Sequence, residues 1–272
     1  MLLCAALWLL PALARAQGAC ALPFGPGEHL VYRIEYVGLT AGTVDITVGT
    51  VKGREGRQSV SVVATAETRS AFRIFPVHDK LVSELDVDAL RTTGDVLDGH
   101  EGTRRWRQRM GFHHREGTLQ IHRVHPDAPP EALTLPMAKG ALDVAGLFLV
   151  ARAQTFEPGA SYTLPVTTDT HGFTLRGTVG APESFDSEAL GRRPVYRTEL
   201  LAGFGGKLST AKAMEVLYTR DPRHVPVWAR AGFALGSITA VLVSYQPGAE
   251  LSRACQASRA PDAGARGAAA AK

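Results

Sequence analysis

Leu30-Val31-Tyr32-Arg33-Ile34-Glu35-Tyr36 sets the period of the whole chain. Leu30, Tyr32, Ile34 and Tyr36 fall on one side and Arg33 and Glu35 on the other, the period of two that marks a half-buried strand. Beyond a turn predicted at Gly38 to Gly42, Val44, Ile46 and Val48 repeat the pattern against Asp45 and Thr47. A second turn at Gly53-Arg54-Glu55-Gly56 leads into Val60, Val62, Ala64 and Ala66, with Ser59, Ser61 and Thr65 facing away. Leu81 to Val87 and Thr103 to Phe112 continue the series, and Leu119-Gln120-Ile121 returns across a turn at Glu116-Gly117. Further strands are predicted at 161–167, 173–179, 195–201, 213–218, 225–230 and 237–245, with Asp221-Pro222-Arg223-His224 as a turn between two of them.

One segment lacks the alternation. Asp143-Val144-Ala145-Gly146-Leu147-Phe148-Leu149-Val150-Ala151-Arg152 is apolar throughout and ends before Glu157-Pro158-Gly159. With Asp143 as N-cap and Arg152 in the last turn it reads as a short buried helix, a buried strand being the alternative. About a dozen antiparallel strands and one helix predict an all-β chain, a strongly curved sheet or β-barrel in a single domain. Such a sheet closes, or is capped by the helix, because open edges invite aggregation.

The flanks speak to location. Leu2 to Leu10 has the length of a signal-peptide apolar core and is too short for a permanent span. Ala14-Arg15-Ala16 supplies a cleavage pattern, so residues 1–16 are expected to leave as a signal peptide and Gln17 to begin the mature chain, with no transmembrane span remaining. No Lys or Arg precedes the apolar core. Gly18-Ala19-Cys20 permits a second reading, lipid attachment at Cys20, although Gln17 stands where an aliphatic residue is usual. Residues 17–255 then form the β domain, and 256–272, rich in Ala, Gly and Arg, form a disordered low-complexity tail. The destination is periplasmic or secreted.

Three cysteines are present, and Cys4 falls in the signal. Cys20 and Cys255 bracket the domain, and in an oxidising compartment they are expected to form a disulfide clasp. Two free thiols, or a lipidated Cys20, are the alternatives. The formal charge of +4, with 26 acidic residues spread along the chain, argues against nucleic acid as the main partner.

Three blocks carry a family resemblance. They are Pro23 to Tyr32 followed by Gly38 to Gly42, Leu142 to Gly159, and Asp221 to Tyr245 with its Arg223-His224-Val225-Pro226-Val227 and Gly236-Ser237-Ile238-Thr239-Ala240. Together they resemble the DUF3108 family of exported bacterial proteins. The resemblance implies an envelope protein of antiparallel β architecture and brings no established activity or catalytic residues.

Candidate chemistry is sparse. Asp79, Asp143 and Asp221 could do acid/base work if two of them met, but cap and turn roles suffice for Asp143 and Asp221. His113, His114, His122 and His125 cluster across a hairpin, yet adjacent strand residues face opposite ways, so a solvated loop is the expectation and no metal or cofactor is assigned. Arg105, Arg107 and Arg109 share one strand face, with Trp106 on the other, and are the speculative ligand-binding residues, suited to lipid headgroups, phosphates or acidic glycans. Otherwise they form a solvated outer face. Ala202-Gly203-Phe204-Gly205-Gly206-Lys207-Leu208 lacks the Lys-Ser/Thr ending of a phosphate loop, and no G-x-S-x-G elbow or zinc-protease helix motif occurs. The leading expectation is a non-catalytic envelope protein binding a lipid or glycan in or on a curved sheet. Envelope assembly through protein contacts, or an unrecognised hydrolase, are the alternatives.

Overall fold

The predicted alternation becomes sixteen strands and one helix among the described residues. The computed structural model describes residues 19–54, 57–68, 76–169, 171–204, 207–233 and 236–254. In the first half these are β1 (Ala19–Ala21), β2 (His29–Tyr36), β3 (Leu39–Arg54), β4 (Arg57–Thr68), β5 (His78–Asp86), β6 (Arg91–Glu101), β7 (Arg104–His113), β8 (Thr118–His125) and β9 (Ala128–Pro136). After α1 (Val144–Arg152) come β10 (Ser161–Thr168), β11 (His171–Ser187), β12 (Gly191–Phe204), β13 (Lys207–Thr219), β14 (Pro226–Phe233), β15 (Gly236–Gln246) and β16 (Ser252–Ala254).

Fourteen strands form one sheet in the order β10-β11-β12-β13-β14-β15-β2-β3-β4-β5-β6-β7-β8-β9. It is an antiparallel meander that starts in the middle. β2 pairs with β15 through Leu30↔Tyr245 and Ile34↔Ala240, so the first and last long strands lie side by side. The sequence neighbours β9 and β10 thereby become the two edges. The sheet curls without closing. Its long strands bend at register shifts, among them Val48/Val51 in β3 and Val179/Pro182 in β11, because an extra residue on one strand increases the local twist.

The chain crosses from one edge to the other through the segment that carries α1. That helix is apolar on nearly every side because it lies inside the curl, with Ala145, Leu149 and Val150 buried. It packs with Leu30, Val60, Val62, Leu85, Val195, Leu217 and Leu242 in the largest of three core clusters. A second cluster, with Val166, Leu175, Tyr196 and Val216, belongs to the β10–β13 arm. The third, with Met110, Phe112, Leu119 and Ile121, belongs to the β7–β8 arm. The inward rows of Tyr, Val, Ile and Leu are therefore packed core around a helix, at the close packing expected of interiors.

Asp143 is the N-cap, its carboxylate accepting the Gly146 N–H, and Arg152 ends the last turn. Other details differ from the alternation. The turn expected at Gly38 to Gly42 is only Val37-Gly38, at φ 49° and 81°, and Leu39 to Gly42 already belong to β3. A bulge between Ile34 and Glu35 takes up the difference. Strands β6 and β9 stand outside the expected series. Gly94, Asp95 and Gly99 blur the alternation of β6, and β9 is an exposed edge beginning Ala128-Pro129-Pro130. The short ladder of β1 with β16, Ala19↔Ala254, joins the first and last described strands, while the segment expected to be a signal peptide, Cys255 and the segment expected to be a disordered tail lie outside the described residues.

Candidate ligand cleft beside the helix N-terminus

α1 has ionisable groups buried at both ends, and the sheet completes each set. At the C-terminal end, Arg152 and Glu28 are both fully buried. The guanidinium meets the carboxylate in two parallel bonds, Nη1 to Oε2 at 2.8 Å and Nη2 to Oε1 at 2.8 Å. Arg152 also donates to the carbonyl oxygens of Pro23 at 2.7 Å and Arg223 at 3.0 Å, and Tyr245 donates to Glu28 at 3.0 Å. His224 Nδ1 donates to the Arg152 carbonyl oxygen at 2.9 Å, with its ring stacked on Phe156. Burial opposes the Arg152 charge, but the Glu28 carboxylate outweighs it and holds the guanidinium pKa above its ordinary value. The three blocks that carry the family resemblance meet here, one giving Glu28, one Arg152 and one Arg223, His224 and Tyr245. Their joint role is to lock the chain start, the helix and the last strands together.

The N-terminal end is arranged differently. Asp143 Oδ1 accepts from the Gly146 N–H at 2.7 Å and from Thr92 Oγ1 at 2.7 Å, and Thr92 Oγ1 accepts the Asp143 N–H at 3.0 Å. Beside it lies Asp95 of β6, only 4% exposed. Neither Asp95 carboxyl oxygen closes a well-formed hydrogen bond, and nor does Asp143 Oδ2, but the Met110 backbone N–H acts on Asp95 and the Ser83 hydroxyl on Asp143 as donors that favour their charged forms. Burial, then the nearby Asp143 charge, push the Asp95 carboxyl up to about 8, and burial also raises Asp143. Asp95 is therefore neutral near pH 7, able both to donate and to accept.

Both residues border a pocket of about 190 Å³ whose wall is almost wholly apolar, from Leu81, Leu97, Met110 and Val144, with Thr167 and Asp169 at the β10 side, and their carboxyl oxygens lie behind that wall. Leu97, Gln108 and Asp169 also line an adjoining cleft of about 340 Å³ that holds Trp106, Arg104, Arg123 and Glu131. Sheet register explains the grouping. Leu97↔Gln108, Gln108↔Arg123 and Arg123↔Glu131 form one cross-strand row on the inner face, and Asp95↔Met110 lies in the row beside it. Arg123 Nε and Nη2 donate to Gln108 Oε1 at 2.9 and 2.6 Å, Nη1 donates to Glu131 at 3.3 Å, and Nη2 also bonds Asp169 at the end of β10. Arg123 thus ties the two arms of the curl. The Trp106 ring covers Gly99, where a side chain would have no room.

The structure divides the residues singled out in the sequence. Trp106 faces the inner cleft, whereas Arg105, Arg107 and Arg109 stand exposed on the outer face. There Arg107 lies 3.5 Å from Asp98, and Arg107 and Arg109 border an open depression with His122 and Val124. Asp143 meets Asp95 rather than Asp79 or Asp221. Asp79 accepts the His100 N–H at 2.9 Å, and Asp221 accepts the Arg223 N–H at 2.9 Å inside its turn. His114 Nε2 lies 2.6 Å from the Thr92 carbonyl oxygen and does not join His113, His122 and His125. Among the described residues no three His, Cys, Asp or Glu side chains are grouped to hold a metal ion. Asp95, Gln108, Arg123, Glu131 and Asp169 have no sequence signature, because strand register alone brings them together.

The comparisons agree with this architecture. The family model of DUF3108, a protein family of unknown function, matches residues 31–243. No curated protein sequence matches the chain. Among solved structures, a beta-barrel-like protein of the domain of unknown function DUF1849 from Brucella abortus aligns over 84% of this chain and 99% of its own at 10% identity, with a TM-score of 0.54. At that identity the likeness is one of fold. A candidate exported protein with a YmcC-like fold from Bacteroides fragilis aligns over 84% of this chain and 100% of its own at 10% identity, with a TM-score of 0.36. A candidate lipoprotein from Parabacteroides distasonis covers 84% and 99% at 12% identity, also with a TM-score of 0.36, and neither of these two superpositions is close enough to bear on function. With its family model spanning nearly all of the sheet, the chain belongs to the DUF3108 family of proteins of unknown function.

Proposed function

We propose that this protein is a non-catalytic component of the bacterial cell envelope that binds a glycan or lipid headgroup in the cleft beside the helix N-terminus. The observation that carries the reading is the lining of that cleft, an aromatic face from Trp106 flanked by Gln108, Arg104, Glu131 and Asp169. An aromatic platform ringed by hydrogen-bonding side chains suits a sugar or a polar headgroup better than an acyl chain. Since α1 and the core fill the curl, the ligand lies on the inner face at the open seam and not inside a barrel.

The export-like residues 1–16 support a periplasmic or secreted location, and among the described residues no helix is long and apolar enough to cross a membrane. The β1–β16 ladder supports the Cys20–Cys255 clasp by bringing Ala19 opposite Ala254. Intact-mass measurement of the mature protein, reduced and unreduced, tests the clasp, and an acyl mass on Cys20 sinks it.

Native mass spectrometry of protein purified from its own envelope tests the binding reading. A retained glycan or headgroup, lost with Trp106→Ala by about tenfold or more in affinity, is the expected result. An unliganded mass, with Trp106 fluorescence unmoved by any envelope glycan or lipid, overturns it. One observation favours assembly through protein contacts as a second reading. Val37, Leu39 and Ile238 are 60%, 63% and 41% exposed and adjoin at the β2–β3 hairpin tip, where Tyr36 pairs with Ile238. Stoichiometric capture of one envelope protein, lost with Leu39→Ser, would favour it.

A further inference from the structure

We propose that the outer face of β5–β8 docks on an anionic phospholipid surface, with Arg105, Arg107 and Arg109 meeting the headgroup phosphates. Antiparallel register assembles the face. Lys80 of β5 lies opposite Asp98 of β6, Asp98 opposite Arg107, and Arg107 opposite Val124 of β8. In the rows on either side, Arg109 stands between Val96 and His122, and Arg105 stands opposite His100. Lys80, the three arginines and His122 are all exposed. Among the described residues only Asp98 forms an ion pair with any of these permanent cations, 3.5 Å from Arg107. Glu84, further along β5, is taken by Lys52 at 2.9 Å. Residues two apart on one strand face stand about 7 Å from one another, so the three guanidiniums crowd a single carboxylate. Like charges set side by side are destabilising, and a bound anion removes the repulsion.

Charge and shape together name the occupant. The chain as a whole carries a formal charge of only +4, so the cations gathered here make this face strongly positive against a mild background. A guanidinium presents a planar fork that bonds phosphate oxygens in pairs, and it is less strongly hydrated than an ammonium. Arg107 and Arg109 border, with His122 and Val124, an open depression of about 380 Å³, room for a headgroup phosphate between the two forks. Val124, 51% exposed among these cations, suits the glycerol and acyl carbons below a phosphate. The face is an open sheet surface, which a lipid layer covers more fully than a single glycan strand does. Strand β7 turns Trp106 and Gln108 into the cleft and its arginines outward, so docking by the outer side holds the cleft at the membrane. The face is built from its own residues and needs no ligand in the cleft.

Co-sedimentation of the mature full-length protein with vesicles tests the assignment. Phosphatidylcholine vesicles containing phosphatidylglycerol are compared with phosphatidylcholine alone, at low and at high salt. The expected result is binding to the anionic vesicles tighter by about tenfold or more, lost at about 1 M salt, where the Debye length falls to about 3 Å. Each of Arg105→Gln, Arg107→Gln and Arg109→Gln should weaken that binding by about fivefold, the share of one basic residue near an anionic surface. Arg192→Gln with Arg193→Gln, which removes two exposed arginines of β12, should leave it unchanged. A thermal melt checks that each variant folds, and the comparison of the two vesicles on the unmodified protein depends on none of them. Equal binding to both vesicles, or an equal loss from the β12 arginines, overturns the assignment. So does loss with Trp106→Ala in place of the arginine variants, which would give the lipid to the inner cleft. Polygalacturonate oligomers that bind through the arginines while vesicles do not would give the face to an acidic glycan and overturn the membrane. Each of these failures leaves the cleft reading standing or strengthens it, because ligand binding at Trp106 is measured separately.

Discussion

At one end of α1 Arg152 and Glu28 are buried with every strong donor and acceptor engaged, and at the other Asp95 and Asp143 are buried with three carboxyl oxygens left over. The two regions have similar burial and belong to the same helix, so depth does not separate them. Satisfaction does. A buried pair whose hydrogen bonds all close within the chain specifies geometry and leaves nothing for a ligand. A buried carboxyl pair with incomplete hydrogen bonding is a standing cost to the fold, and it is met by Asp95 keeping its proton.

The strongest test of this contrast is to break the satisfied end. Arg152→Met should cost about 3–5 kcal/mol in a urea melt, because it strands the Glu28 carboxylate without a countercharge. The double change Glu28→Met with Arg152→Met should cost less than Arg152→Met alone. If the double variant is the worse of the two, the pair stabilises through more than mutual neutralisation.

The unsatisfied end should respond in the opposite sense. The folded Asp95 carboxyl titrates near 8, well above its unfolded value, so between about pH 4 and pH 8 the native state holds a proton that the unfolded state has released. Stability should therefore fall as pH rises through that range, by up to about 5 kcal/mol, and level off above it. Asp95→Asn should flatten the fall, and an unchanged profile would show that Asp95 is solvated.

A smaller effect is expected at the cap. Gly146→Ala ordinarily favours a helix, but here a methyl group would run into Thr92 Oγ1 and come 2.8 Å from Asp143 Oδ1. A loss of about 1–2 kcal/mol is expected in place of a gain. The smallest effect belongs to His224, whose pKa is lowered by burial. On the acid side of pH 6.5 the unfolded state takes up a proton that the native His224 resists, so stability is lost as pH falls, by about 1 kcal/mol or less. His224→Gln should blunt that loss while leaving the Asp95-linked fall unchanged, and adding His114→Gln, whose imidazole is also lowered by burial, should blunt it further.

Much of the architecture was legible in residue order. Leu30, Tyr32 and Val48 alternate and are buried as the period of two requires, and Asp143 caps the helix that its position announced. Strand β6 was not legible, because Gly94 and Gly99 carry no side chain to mark a face, and with it went Asp95. The Arg105-Trp106-Arg107 run was legible as two faces, but nothing local said which face would meet a cleft.

Residue order alone determined the β character, the single capped helix, the export-like start and the alternation that separates Trp106 from its arginine neighbours. Those properties depend on neighbours within a few residues, where backbone geometry repeats with a fixed period. Only the tertiary structure decided that β2 and β15 pair, which makes β9 and β10 the edges and sends α1 through the curl. The same pairing places Asp95 against Asp143, and Arg123 against Glu131 and Asp169. Contacts between residues far apart in sequence follow from strand register and from how the sheet bends, and no local pattern encodes either.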